Sequence, residues 1–107
     1  MIQLRGTSTF VYLLKLVKPD TYGNMSPEDE AIVDEHFEYL RKGVAKKKVI
    51  LAGPCLDGQF GIVIFRAISQ TDAEEFVKND PAPTKRIMRT ELHPFRISLM
   101  GNESGCE

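Results

Sequence analysis

No stretch of this chain is apolar for long enough to cross a membrane, and its start, Met1 to Ser8, is too short and polar for an export signal. Charge of one sign is missing too. The 14 Lys and Arg stand against 15 Asp and Glu, which removes the electrostatic case for a nucleic-acid or acidic-membrane partner. Cysteine is scarce, two in 107 residues. Without an export signal, both read as free thiols in a reducing cytoplasm. No Cys/His cluster has metal-ligand spacing and no glycine-rich loop is present to cradle a phosphate, so no metal or organic cofactor is expected. The length supports a single domain, expected over residues 1–100. The polar run Gly101 to Glu107, which holds Cys106, reads as a disordered tail.

What is present is a clear succession of elements. Thr9 to Val17 is dense in β-branched and aromatic residues and reads as a strand, closed by Lys18-Pro19-Asp20. A helix then starts with Ser26 as N-cap and Pro27 at its first position. Acidic residues (Glu28, Asp29, Glu30, Asp34, Glu35) fill its first half, and Arg41, Lys42, Lys46, Lys47 and Lys48 gather at its far end. That sorting suits the helix dipole. The basic run therefore reads as a solvated helix end, not a nucleic-acid surface, since no aromatic residues interleave for base stacking.

Val49 to Gly53 and Phe60 to Ala67 read as strands two and three, with Asp57-Gly58 as the hairpin signal between them. Two overlapping capping boxes, Ser69 to Asp72 and Thr71 to Glu74, open a second helix that buries Ala73, Phe76 and Val77 and stops before Pro81. A short helical turn is expected around Lys85 to Met88. Glu91 to Met100 is the last strand, with Pro94 confined to an edge or a strand start. The order β-α-β-β-α-β with right-handed crossovers gives an α+β, ferredoxin-like domain: a four-stranded antiparallel sheet with both helices on one face. The first and third strands are apolar on both faces, so the uncovered face predicts a homodimer packed sheet to sheet.

One residue breaks the pattern. Val33, Phe37, Leu40 and Val44 form the apolar stripe of the first helix, and His36 lies on its edge. An imidazole at such a place needs a hydrogen-bond partner, and its proton moves near neutral pH. Asp80, at the end of the second helix, is the candidate. Each residue also has a plainer reading: His36 as a satisfied core histidine, and Asp80 as the cap of the Pro81 turn. Cys55 reads as a bystander thiol, His93 as a surface or edge residue, and Tyr12 and Tyr39 as core aromatics or pocket walls.

The runs Glu35 to Leu40, Ile50 to Pro54, Asp57-Gly58 with Gly61-Ile62, Asp80-Pro81 and Glu91 to Phe95 together resemble the YCII-related family, over Phe10 to Leu99. The resemblance implies a dimeric α/β barrel on the ferredoxin-like fold, with a histidine and an aspartate in the site that map onto His36 and Asp80. Two departures stand out. Lys47 occupies a place where the family often has glycine. The segment Ala82 to Arg89 is bulkier and more basic than the small residues the family tends to carry, which reads either as an anionic ligand met by Lys85, Arg86 or Arg89 or as a solvated surface.

The function expected from all this is general acid/base chemistry, elimination or isomerisation, on a small organic substrate. His36 and Asp80 are the catalytic pair; Tyr12, Gly53, Pro54 and Arg86 are candidate substrate contacts. The alternative is a non-catalytic dimer that binds a small ligand, with the pair serving only as a structural hydrogen bond. Solvent access at His36 separates the two.

Overall fold

The computed structural model describes residues 8–101; the polar start before Ser8, the tail expected beyond Gly101 and Cys106 lie outside the described residues. The chain runs through β1 (Ser8–Leu16), a 3-10 turn (Pro19–Thr21), α1 (Pro27–Ala45), β2 (Val49–Pro54), β3 (Gly61–Ala67), α2 (Gln70–Lys78), α3 (Pro81–Thr84) and β4 (Met88–Phe95). The strands form one sheet in the order β2-β3-β1-β4, and every pairing is antiparallel. This is the ferredoxin-like arrangement expected from the element order, with β1 and β3 central.

Strand alternation decides which residues make the core. Phe10, Tyr12 and Leu14 of β1 and Val63, Phe65 and Ala67 of β3 are buried, while their neighbours Val11, Leu13, Ile62 and Ile64 are only half-buried on the other face. Leu40 of α1 and Ala73, Phe76 and Val77 of α2 close over the buried set, so both helices lie on one side of the sheet. Aromatic rings dominate this layer: Phe65 meets Phe76 at 4.8 Å between centroids, and Tyr12 stands edge-on to Phe65 at 5.6 Å. Each such pair adds about 1 kcal/mol beyond its area burial. The cluster also fixes where the Tyr12 hydroxyl points. Gly43 lets α1 press against β2, since a Cβ there would lie 2.6 Å from a Val49 methyl.

The caps follow the sequence. Ser26 Oγ accepts from the Asp29 amide at 3.1 Å, and Ser69 Oγ accepts from the Asp72 amide at 3.0 Å. Of the two candidate N-caps, Ser69 is the one used. Asp72 in turn accepts from the Ile68 amide and from Lys48 Nζ, and these bonds hold its carboxyl below the usual carboxylate range.

Four expectations need correction. The short helical turn forms at Pro81–Thr84 rather than Lys85 to Met88, because Asp80 caps it and Pro81 takes the first helical position. As a result β4 begins at Met88, paired with Leu16, and ends at Phe95 instead of continuing to Met100. Pro94 sits within it, as an edge strand permits. The Asp57-Gly58 pair does not make a two-residue hairpin. It sits in a wider loop, closed by Cys55 N–H donating to Phe60 O at 2.8 Å, in which Gly58 adopts φ 79°. Finally, of the α1 stripe only Leu40 is buried in the core; Phe37 and Val44 are 60% and 52% exposed. The rest of the stripe faces a cavity.

Helix α1 ends in a Schellman motif: Lys48 N–H donates to Gly43 O and Lys47 N–H to Val44 O, both at 2.9 Å. Lys47 is thereby held at φ 63°, the left-handed region that a side chain disfavours. Lys47→Gly is expected to stabilise the fold by ~0.5–1 kcal/mol, read as a higher urea midpoint at unchanged slope; an unchanged or lower midpoint refutes the strain at this cap.

Candidate active site

Asp80 is wholly buried, with 0% of its surface accessible. It reaches that position as the N-cap of α3, where its Oδ1 accepts from the Ala82 amide at 2.9 Å. The plain capping role is therefore real, and it leaves capacity to spare. Tyr12 Oη donates to Oδ2 at 2.8 Å. His36 Nδ1–H donates to Oδ1 at 2.7 Å and to Oδ2 at 2.9 Å. A carboxylate only accepts, so the ring nitrogen facing it carries hydrogen and the tautomer is set. Elements far apart in the chain (β1, the middle of α1 and the start of α3) thus converge on one carboxylate.

His36 has its other ring nitrogen free. Among the described residues Nε2 has no hydrogen-bond partner, and no buried side-chain nitrogen or oxygen lacks one. Nε2 is therefore open to solvent, consistent with a side chain 12% exposed. The opening is a cavity of about 580 Å³ in which His36 forms part of the wall, within the range of small-molecule sites. Helix α1 contributes Val33, Phe37, Leu40, Arg41 and Val44 beside His36; the sheet floor is Leu14, Leu16, Ala52, Val63 and Met88. The far side is Gly53 and Pro54 at the end of β2, with Cys55, Gly58 and Phe60 of the following loop.

A second loop frames the mouth. Tyr22 packs its ring on Gly58, where a Cβ would come within 2.7 Å of it, and donates from Oη to Leu56 O at 3.1 Å. Met25 follows on the same wall. Gly58 thus needs to be glycine both for its φ of 79° and for the ring above it.

The structure brings together four of the six candidate site residues at the cavity or the pair: His36 and Asp80 in direct contact, Gly53 and Pro54 on the wall. Tyr12 is buried and off the wall, with its hydroxyl bonded to Asp80. Arg86 is off the wall, exposed and at φ 64° in the turn after α3. Lys85 pairs with Glu35 at 2.9 Å, and Arg89 lies opposite Lys15 on the outer face of the sheet. Tyr39 is also outside the wall; its hydroxyl donates to Phe76 O at 2.6 Å. His93 is exposed and pairs with Glu91 at 2.8 Å. Sequence reasoning passed over Phe37 and Arg41 as site residues. Their i, i+4 spacing was the available signal, but Phe37 read as core and Arg41 as part of a solvated end.

A domain model described as YCII-related matches residues 9–96. The chain belongs to the YCII-related family. No curated protein matches this YCII-related chain. Among solved structures, 5-chloro-2-hydroxyhydroquinone dehydrochlorinase from Burkholderia phenoliruptrix AC1100, in complex with 2,5-dihydroxybenzoquinone, is similar at TM-score 0.62 and 20% identity, over 81% of this chain and 93% of that one. At that identity the likeness is one of fold. Among the described residues no helix is long and apolar enough to cross a membrane.

Two phenols sense the buried carboxylate. Burial, and then the charge of Asp80, push Tyr39 up to about 12 and drive Tyr12 higher still. A raised folded-state value means the neutral phenol stabilises the fold fully below the unfolded value near 10, and that this contribution is lost as pH rises towards 12. Urea titrations should therefore show stability falling steeply above about pH 10, and less steeply in Tyr39→Phe. Parallel pH curves for the two proteins would contradict the assignment.

Proposed function

We propose that this protein is a cofactor-independent acid/base enzyme in which His36 Nε2 moves a proton on a small ring-bearing substrate and Asp80 orients the ring and balances its charge. The observation that carries the reading is a tautomer fixed on one side by a buried carboxylate, in a side chain that also lines an apolar cavity. A histidine serving only to satisfy the core would be sealed; this one faces space large enough for a substrate.

Elimination and isomerisation suit the pair, because both need proton transfer without a nucleophile. The imidazole takes a proton from carbon or oxygen, the imidazolium formed is stabilised by Asp80, and the same proton is returned to a leaving group or a second carbon. The apolar walls strengthen that ion pair by excluding water. The similar dehydrochlorinase supports a small oxygenated ring as the substrate type. Gly53 and Pro54 line the cavity, and Gly53 adds no side chain to fill it. The free Cys55 thiol fits a reducing, cytoplasmic setting.

Chlorinated and hydroxylated quinols, assayed for chloride and proton release, provide the test. His36→Gln should lower kcat by about 10²–10⁴-fold, the usual worth of a positioned acid/base group, and Asp80→Asn should also lower it while shifting the pH profile. A His36→Gln protein with the parental rate on any substrate that the parent turns over ends this reading.

We further infer a homodimer through the outer sheet face. Half-buried Val11, Leu13, Ile62 and Ile64 form its centre, with Leu51 and Phe95 at 51% and 41% exposure beside them. A contiguous apolar face of this kind is seldom left to water. Sedimentation at micromolar concentration should give a dimer for the parent and a monomer for Ile64→Lys; a parent that sediments as a monomer removes the dimer.

A further inference from the structure

Resting on the acid/base reading, we propose that the cavity selects small aromatic carboxylates, with Arg41 as the residue that holds the carboxylate at the mouth while the ring lies against His36. The cations expected from the basic segment after Asp80 are not available for this role. Lys85 and Arg86 are off the wall, and Arg89 is on the outer face. Arg41 is the arginine in the cavity lining, and no Asp or Glu accompanies it there. Asp80 lies behind His36 with both oxygens engaged. The nearest carboxylate to the guanidinium is that of Glu38, which accepts from its Nε and stands outside the lining.

The guanidinium is also held for the task. Its Nε donates to Glu38 Oε1 at 3.2 Å, and its Cζ sits 4.9 Å from the centroid of the Phe37 ring. The two terminal nitrogens have no acceptor among the described residues, so a planar fork remains for bidentate contact with a carboxylate. Arg41 and Glu38 are 63% and 55% exposed, and an ion pair that exposed adds little to stability. Phe37, itself 60% exposed, supplies an aromatic face beside the same mouth.

His36 and Arg41 both line the cavity from α1. The apolar walls between them favour a ring over a polar chain of equal length.

Two probes of matched shape, 2-naphthoate and 2-naphthalenemethanol, test this by calorimetry. The parent protein should bind the acid at least tenfold more tightly than the alcohol. Arg41→Met should abolish that preference while binding the alcohol as before. Bound naphthoate should slow alkylation of the cavity thiol Cys55, followed by mass spectrometry, in the parent but not in Arg41→Met. His36→Gln should retain naphthoate binding within about twofold, so a loss of turnover there with intact binding separates the catalytic reading from this one. Equal affinity for acid and alcohol in the parent, an acid preference that survives Arg41→Met, or binding of neither probe would each overturn the assignment of Arg41.

Discussion

A single buried carboxylate organises this protein. Asp80 accepts from a phenol on β1, an imidazole on α1 and the backbone amide of Ala82, and each donor arrives from a different part of the chain. Burying an unpaired carboxylate is among the costliest things a fold can do. With three donors the group instead becomes a fixed node that ties sheet, long helix and short helix together. Removing it would leave the Tyr12 hydroxyl and the His36 ring nitrogen without acceptors, at a cost of about 1–3 kcal/mol for each orphaned group. The structural and chemical accounts of the pair are therefore not rivals. The bond that locks α1 to α3 is the bond that sets the imidazole tautomer.

That node also explains the uneven burial of α1. A helix optimised for stability would bury its whole apolar stripe. Here the stripe divides: Leu40 and Gly43 seat the helix on the core, while Val33, Phe37 and Val44 turn to a cavity. The aromatic layer of Phe65, Phe76 and Tyr12 supplies the packing that this arrangement forgoes. Rigid packing on one side and open volume on the other leave a polar ring at the boundary.

Much of the framework was legible because its determinants are local. Ser26 with Pro27, Ser69 with Asp72, and the alternation through Phe10, Tyr12 and Leu14 each act within a few residues, and chain order with crossover handedness then leaves few topologies. The failures have physical causes of the same scale. Asp80 capping Pro81 moved the helical turn forward, which let β4 start at Met88 and end at Phe95. A periodicity of 3.6 identifies the apolar face of α1 but cannot tell a core from a cavity, since both need the same residue types. Phe37 was lost to that ambiguity, and Arg41 to its place in a basic helix end.

The family fingerprint and the residue types at His36 and Asp80 were present in the linear chain, as was the strand and helix order, because caps, alternation and proline placement act over short separations. Which donors share the Asp80 carboxylate depends on groups 44 and 68 residues away. No local propensity encodes a contact across such distances. Packing of α1 against the sheet decided that Tyr12 is buried off the cavity wall, that Arg41 borders the cavity, and that one imidazole nitrogen is left facing open space.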